Sequence, residues 1–268
     1  MKLPVSIRIS LCSIRVLSLL FMVLIGAGVA PAQNTNAPNP SADLPDALRF
    51  PTNTSLLPGK GPISGWKPFP QLWARRRADF WRHRQEDKGK VVFLGDSITQ
   101  GWNSLAQDFP DLKIANRGIG GDTTRGVWFR LREDVLDEEP AAVVLLIGTN
   151  DLGSKGNPKD AAKNISAILA ALKETYPQMP VIVCKVMPSK KSVAANIKKL
   201  NARLEKIVKA DPHLILCDTW SIYANEDGTC KREEFPDMLH PNKAGYAKWT
   251  AALRPIFAKL DLPARKAE

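Results

Sequence analysis

Val91-Val92-Phe93-Leu94-Gly95-Asp96-Ser97 runs four apolar residues straight into a glycine, an acid and a serine. A short apolar run bounded by turn residues has the length of a strand buried on both faces. A tight turn behind it that opens a helix exposes the serine hydroxyl at the strand's carboxyl end. A free serine hydroxyl is a poor nucleophile, so the position acquires chemistry only with a base, a group orienting that base, and donors for a developing oxyanion. Taken alone, Ser97 reads as an ordinary helix cap.

Further apolar runs at 114–115, 143–147, 181–186 and 214–216 make five candidate strands with 91–94. Between them, 123–135, 158–176, 192–210 and 242–260 carry apolar residues at the three and four spacing of a helix. Pro158 suits a first helical turn and Asn242 a cap. Nearly all-apolar strands separated by crossover helices predict an α/β domain whose parallel sheet is covered on both faces. Ligands of such sheets gather beyond the carboxyl ends of the strands. Three polar stretches follow predicted strands: Gly95-Asp96-Ser97, Asn116-Arg117-Gly118-Ile119-Gly120-Gly121-Asp122 and Gly148-Thr149-Asn150-Asp151. All three are therefore expected on one edge.

His83, His213 and His240 are the only histidines. His83 lies in a charged stretch and reads as a solvated helix residue, and His213 sits at the amino end of the last strand, away from the expected site. His240 follows Asp237 by three residues, a spacing that lets one loop bring carboxylate to imidazole. Asn150 carries an amide donor at the predicted edge, though asparagine after a strand is also a common turn residue. Gly120 and Gly121 offer backbone N–H groups with no side chain in the way, or simply turn the chain.

At the N-terminus, Lys2, Arg8 and Arg15 precede an apolar stretch over 16–29 and a small-x-small Ala30-Pro31-Ala32. This predicts a signal peptide over 1–32 and an exported, periplasmic or extracellular protein without a membrane span after cleavage. Its loss takes the formal charge from +11 to +8. Residues 33–62, rich in Pro and Asn, read as a linker or surface-draped arm. Residues 63–268 read as one domain opening with an amphipathic helix around Leu72, Trp73, Phe80 and Trp81. Lysine and arginine clusters such as Arg75-Arg76-Arg77 and Lys190-Lys191 lack interleaved aromatics, so they read as solvated faces and not as a nucleic-acid platform. Cys184, Cys217 and Cys230 remain after cleavage, and Cys217 with Cys230 is a candidate bridge in an oxidising compartment. No zinc-binding spacing and no complete dinucleotide fingerprint is present, so neither metal nor cofactor is expected.

With Gly95-Asp96-Ser97-Ile98-Thr99, Gly118-Ile119-Gly120-Gly121-Asp122, Gly148-Thr149-Asn150-Asp151 and Asp237-Met238-Leu239-His240 as four blocks in order, the chain resembles the SGNH or GDSL hydrolases, most closely the branch of the platelet-activating-factor acetylhydrolase Ib catalytic subunits. The resemblance spans roughly residues 88–260 and implies a three-layer α/β/α sandwich with a five-stranded, flavodoxin-like parallel sheet. It implies Ser97 as nucleophile, His240 as base and Asp237 as its orienting partner. The oxyanion hole it implies comprises the Ser97 and Gly121 N–H groups and the Asn150 side chain. The implied activity is ester hydrolysis through an acyl-serine, with short acyl groups on carbohydrates as the leading substrate. A lysophospholipase or platelet-activating-factor-like lipid esterase is the alternative, and a carbohydrate-binding protein without catalysis a remote one. The segments 152–157 and 187–192 are expected to wall the pocket. Oligomeric state is left open.

Overall fold

The computed structural model describes residues 45–264, apart from Gly65 and Pro263. The signal-peptide reading of 1–32 and the first part of the 33–62 arm lie outside these residues. Five parallel strands form the sheet, β1 (Val91–Gly95), β2 (Ile114–Gly118), β3 (Ala142–Leu146), β4 (Val181–Cys184) and β5 (Leu214–Cys217), in the order β2-β1-β3-β4-β5. Strand alternation sends successive residues of β1 to opposite faces. Val92 and Leu94 pack with Val143, Leu145 and Val183 under Val127, Ile165, Ile168, Ile197 and Leu200. These last come from α4 (Thr124–Phe129), α7 (Pro158–Thr175) and α8 (Lys191–Lys209). Val91 and Phe93 pack with Val144, Leu146 and Ile182 against Trp249 and Leu253 of α9 (Lys243–Phe257), against Leu105 of α3 (Leu105–Asp108) and against Trp102. Burying one such side chain is worth about 1.5–3 kcal/mol, so two apolar faces hold the sheet in a three-layer sandwich.

The chain turns from β1 toward β2 on one side and reaches β3 on the other, which opens a crevice at the carboxyl ends of these strands. β2 is an edge, and its exposed carbonyls are covered by α1 (Phe69–His83). Arg76 donates from Nε to Gly118 O at 3.1 Å and from Nη2 to Asn116 O at 3.3 Å. Arg77 is fully buried, its Nε 3.0 Å from Asp134 Oδ1. The reading of Arg75-Arg76-Arg77 as a solvated face is thus corrected for two of the three residues. Among the described residues no helix is long and apolar enough to cross a membrane.

Other departures have local causes. The helix expected over 123–135 divides into α4 and α5 (Leu131–Asp134) at Arg130, where φ −93° and ψ 4° leave helical values. β2 runs three residues past its apolar start because Asn116 and Arg117 are satisfied internally. Asn116 Nδ2 donates to Thr99 O at 2.7 Å, and Arg117 Nη1 meets Asp87 Oδ2 at 2.8 Å. β4 stops at Cys184, and the Asn201 side chain then serves Val186 in place of a strand, accepting from its N at 2.8 Å and donating to its O at 2.9 Å. Cys217 and Cys230 are free thiols, so the candidate bridge is not formed. Cys217 lies beside Cys184 across β4 and β5, whereas Cys230 Sγ lies 3.8 Å from Met238 Sδ.

Candidate active site

Ser97 begins a four-residue helix, α2 (Ser97–Gln100), directly behind β1. Asp96 caps it, Oδ1 accepting from Ile98 N at 2.9 Å. Ser97 therefore holds the first helical position, where an N–H has no intrahelical acceptor. A side chain at Gly95 would collide with Leu146 O and Thr99 Oγ1, so the strand end must be glycine for β1, β3 and α2 to close up.

Residues 237–240 fold back on their own carboxylate. Asp237 Oδ1 accepts from Leu239 N at 2.9 Å and from His240 N at 2.7 Å, while Met238 takes a left-handed φ of +63°. Ser189 Oγ donates to Met238 O at 2.7 Å and supports the loop from outside. The result is a line of three groups: Asp237 Oδ2 lies 2.6 Å from His240 Nδ1, and His240 Nε2 lies 2.9 Å from Ser97 Oγ. A carboxylate only accepts, so Nδ1 carries the proton and Nε2 is left to accept from the serine hydroxyl. Partial burial presses the Asp237 carboxyl upward, but the hydrogen bonds from His240 N, the His240 ring and Leu239 N outweigh it and hold the carboxyl below its ordinary value.

Opposite the imidazole stand hydrogen-bond donors. Asn150, in α6 (Thr149–Gly153) behind β3, donates one amide hydrogen to Asp122 O at 2.9 Å and keeps its second for the pocket. Gly120 N is already committed to Gln100 Oε1 at 2.6 Å. Gly121, at φ +83° in a conformation that other residues rarely adopt, lines the pocket beside Gly120.

Under the donors lies a dry set of charges that sequence reasoning missed. Arg130, fully buried, donates to Asp122 Oδ2 at 2.8 Å, Asp134 Oδ2 at 3.2 Å, Gly95 O at 3.2 Å and Arg117 O at 2.8 Å. It ties the ends of β1 and β2 to the Asp122 turn on which Asn150 rests. Asp151 accepts from Thr124 N at 3.0 Å and Thr124 Oγ1 at 2.6 Å. Burial pushes Asp96 up to about 7, with Asp122 and Asp151 adding to the rise. Burial likewise pushes Asp122 up to about 6 against the pull of Arg130, and Asp151 up to about 6 against its bonds from Thr124. The one signal of Arg130 in the sequence is its opposite charge four residues ahead of Asp134, the spacing of a helical pair.

Ser97, His240, Asn150 and Gly121 face a pocket of about 620 Å³ whose walls include Ser64, Trp66, Leu72, Asn103, Ser154 and Leu239. Of the two segments expected as walls, 152–157 contributes Ser154. No residue of 187–192 lines this pocket: Ser189 holds the histidine loop, and Lys191 pairs with Asp227 at 3.0 Å. Ser64 and Trp66, just beyond the stretch read as an arm, take that place.

The GDSL-like lipase/acylhydrolase family matches residues 93–248. Platelet-activating factor acetylhydrolase IB subunit alpha1 of Pongo abelii is 29% identical over 199 residues, covering 70% of this chain and 84% of that protein. The alpha2 subunit of Homo sapiens matches at the same identity and coverage. A solved GDSL-like lipase from Bacteroides thetaiotaomicron VPI-5482 aligns with a TM-score of 0.59 at 27% identity, over 68% of this chain and 98% of its own. The acetyl xylan esterase AlAXEase shares the fold at a TM-score of 0.56 and 22% identity, covering 64% of this chain and all of that one.

Proposed function

The chain belongs to the GDSL-like lipase/acylhydrolase family and is an ester hydrolase, and within that family we propose that it is an exported serine esterase removing short acyl groups, acetyl foremost, from carbohydrates. The observation that carries the serine chemistry is the Asp237–His240–Ser97 line, with contacts of 2.6 and 2.9 Å at the pocket floor. Ser97 Oγ passes its proton to His240 Nε2 as it attacks the ester carbonyl, and Asp237 steadies the imidazolium. The oxyanion takes up the N–H groups of Ser97 and Gly121 and the spare amide hydrogen of Asn150. His240 returns the proton to the departing alcohol, then draws one from the water that cleaves the acyl-serine.

The acetyl preference is supported by the relatives at 29% identity, which are named for acetylhydrolase activity. A sugar alcohol is supported by the wall, where Ser64, Asn103 and Ser154 interrupt the apolar surface of Trp66, Leu72 and Leu239. The same relatives, named for platelet-activating factor, favour a lipid as the second reading. Export rests on the basic and apolar pattern of residues 1–32 and predicts a mature protein beginning at Gln33.

Ser97→Ala should abolish hydrolysis of p-nitrophenyl acetate and labelling by a fluorophosphonate probe. Unchanged turnover in that variant would end the serine mechanism. Release assays on acetylated xylan, acetylated sialic acid and lysophospholipid then choose between sugar and lipid.

A further inference from the structure

Trp66 is the one exposed large hydrophobic residue among those described, 51% accessible, while Trp73, Trp102 and Trp249 are fully buried. An indole left in water is informative when it borders a pocket, since a large flat apolar face there is available to a ligand. Trp66 lines the pocket beside the donors: a Cβ added to Gly121 would lie 3.6 Å from its Cε3 atom.

The segment carrying it is held in place. Arg125 gives its whole guanidinium to main-chain carbonyls ahead of Trp66: Nε to Pro58 O at 3.0 Å, Nη1 to Gly61 O at 2.9 Å, and Nη2 to Leu57 O at 2.9 Å and Thr54 O at 3.2 Å. Asn164 pairs with both main-chain atoms of Lys60, accepting from N at 3.3 Å and donating to O at 2.8 Å. Beyond the indole, Trp66 O accepts from Phe69 N at 3.0 Å, which joins the segment to α1. A built support of this kind lowers the entropy a ligand must overcome in using the surface.

We propose that Ser64 and Trp66 form the specificity wall of the esterase and that Trp66 is the stacking face for the sugar ring of an O-acetylated carbohydrate. The proposal rests on the serine-esterase reading. A pyranose presents a flat C–H face and a rim of hydroxyls. The C–H face fits the indole, and the hydroxyls fit Ser64, Asn103 and Ser154 around it. An acyl chain would cover the same indole but make no hydrogen bond to those groups, which favours the sugar.

The test compares wild type, Trp66→Ala and Trp66→Phe on two non-aromatic substrates, ethyl acetate and an acetylated xylo-oligosaccharide. Trp66→Ala should raise KM for the oligosaccharide about tenfold or more beyond any change on ethyl acetate, and Trp66→Phe should recover most of that difference. Because Trp66 is exposed, the melting temperature of each variant should match wild type, which separates lost binding from lost folding. An unchanged oligosaccharide KM, or an equal loss on both substrates, overturns the role of Trp66. So does a Trp66-dependent KM for lysophospholipid with none for the sugar. Wild-type activity on ethyl acetate that survives Ser97→Ala overturns the esterase reading itself, a result distinct from these.

Discussion

Asp237, bonded to His240, and Asp96, next to Ser97 in the chain, stand behind the two ends of one hydrogen bond and behave in opposite ways. Asp237, with its side chain 55% accessible, is held below its ordinary pKa by donors from its own loop. Asp96 is fully buried, is pushed up to about 7, and leaves Oδ2 without a hydrogen-bond partner. The wet carboxylate can stay charged and steady an imidazolium at little cost, whereas the dry ones shape main chain: Asp96 caps α2, and Asp122 and Asp151 brace the turns that carry Gly121 and Asn150. Charge serves chemistry where water and donors surround it, and serves shape where they do not.

The largest expected effect breaks the wet side. Asp237→Asn should lower kcat by about 10³–10⁴-fold through loss of the correct imidazole tautomer, with unfolding free energy nearly unchanged. A comparable fall in stability would mean that this carboxylate is as structural as the buried ones. Arg130→Met should do the reverse, destabilising the fold by about 3–5 kcal/mol because Asp122 and Asp134 lose a buried partner. Urea unfolding measures it, and a neutral result would show that these carboxylates are neutralised without the guanidinium. Asn150→Ala lies between the two sides, and an expected fall in kcat of about 10²–10³-fold at unchanged melting temperature assigns it to the oxyanion.

The smallest effect sharpens the comparison through pH. The folded pKa of Asp96, about 7, stands above its ordinary 3.8, so the unfolded chain releases that proton first. Its contribution to stability is complete below about pH 4 and is lost as pH rises through about 7. Asp96→Asn retains an oxygen acceptor for Ile98 N and cannot ionise, so it should stabilise the protein by about 2–3 kcal/mol at pH 7.5 and much less at pH 4.5. Thermal melts at the two pH values decide it. A gap of the same size at both, or one that widens toward acid, would contradict a buried, ionisable Asp96.

The sheet and the Asp237–His240 contact were legible for the same reason: each is written in neighbouring residues, whereas Ser97 stands 143 positions from His240. Val91 to Leu94 are apolar without interruption, and the three-residue step from Asp237 to His240 is the step the loop uses to reach its own imidazole. Features built from distant polar pairs left no such trace. Asn116 and Arg117 look like loop residues until Thr99 and Asp87 are beside them. Residues 54–62 have little apolar periodicity because Arg125 and Asn164 hold them through main-chain atoms, 64 to 104 positions away in places. The division of the 123–135 helix at Arg130 follows from a guanidinium drawn to four acceptors on separate elements, which periodicity does not register.

Arg76 settles how this molecule behaves when crowded. An uncovered row of strand carbonyls invites a second chain to extend the ladder, and β2 stands at the sheet's outer margin. With the guanidinium seated on Asn116 O and Gly118 O, an incoming strand finds those acceptors taken. Loss of Arg76 should therefore be felt first as turbidity in concentrated solution, while dilute enzyme still turns over its ester.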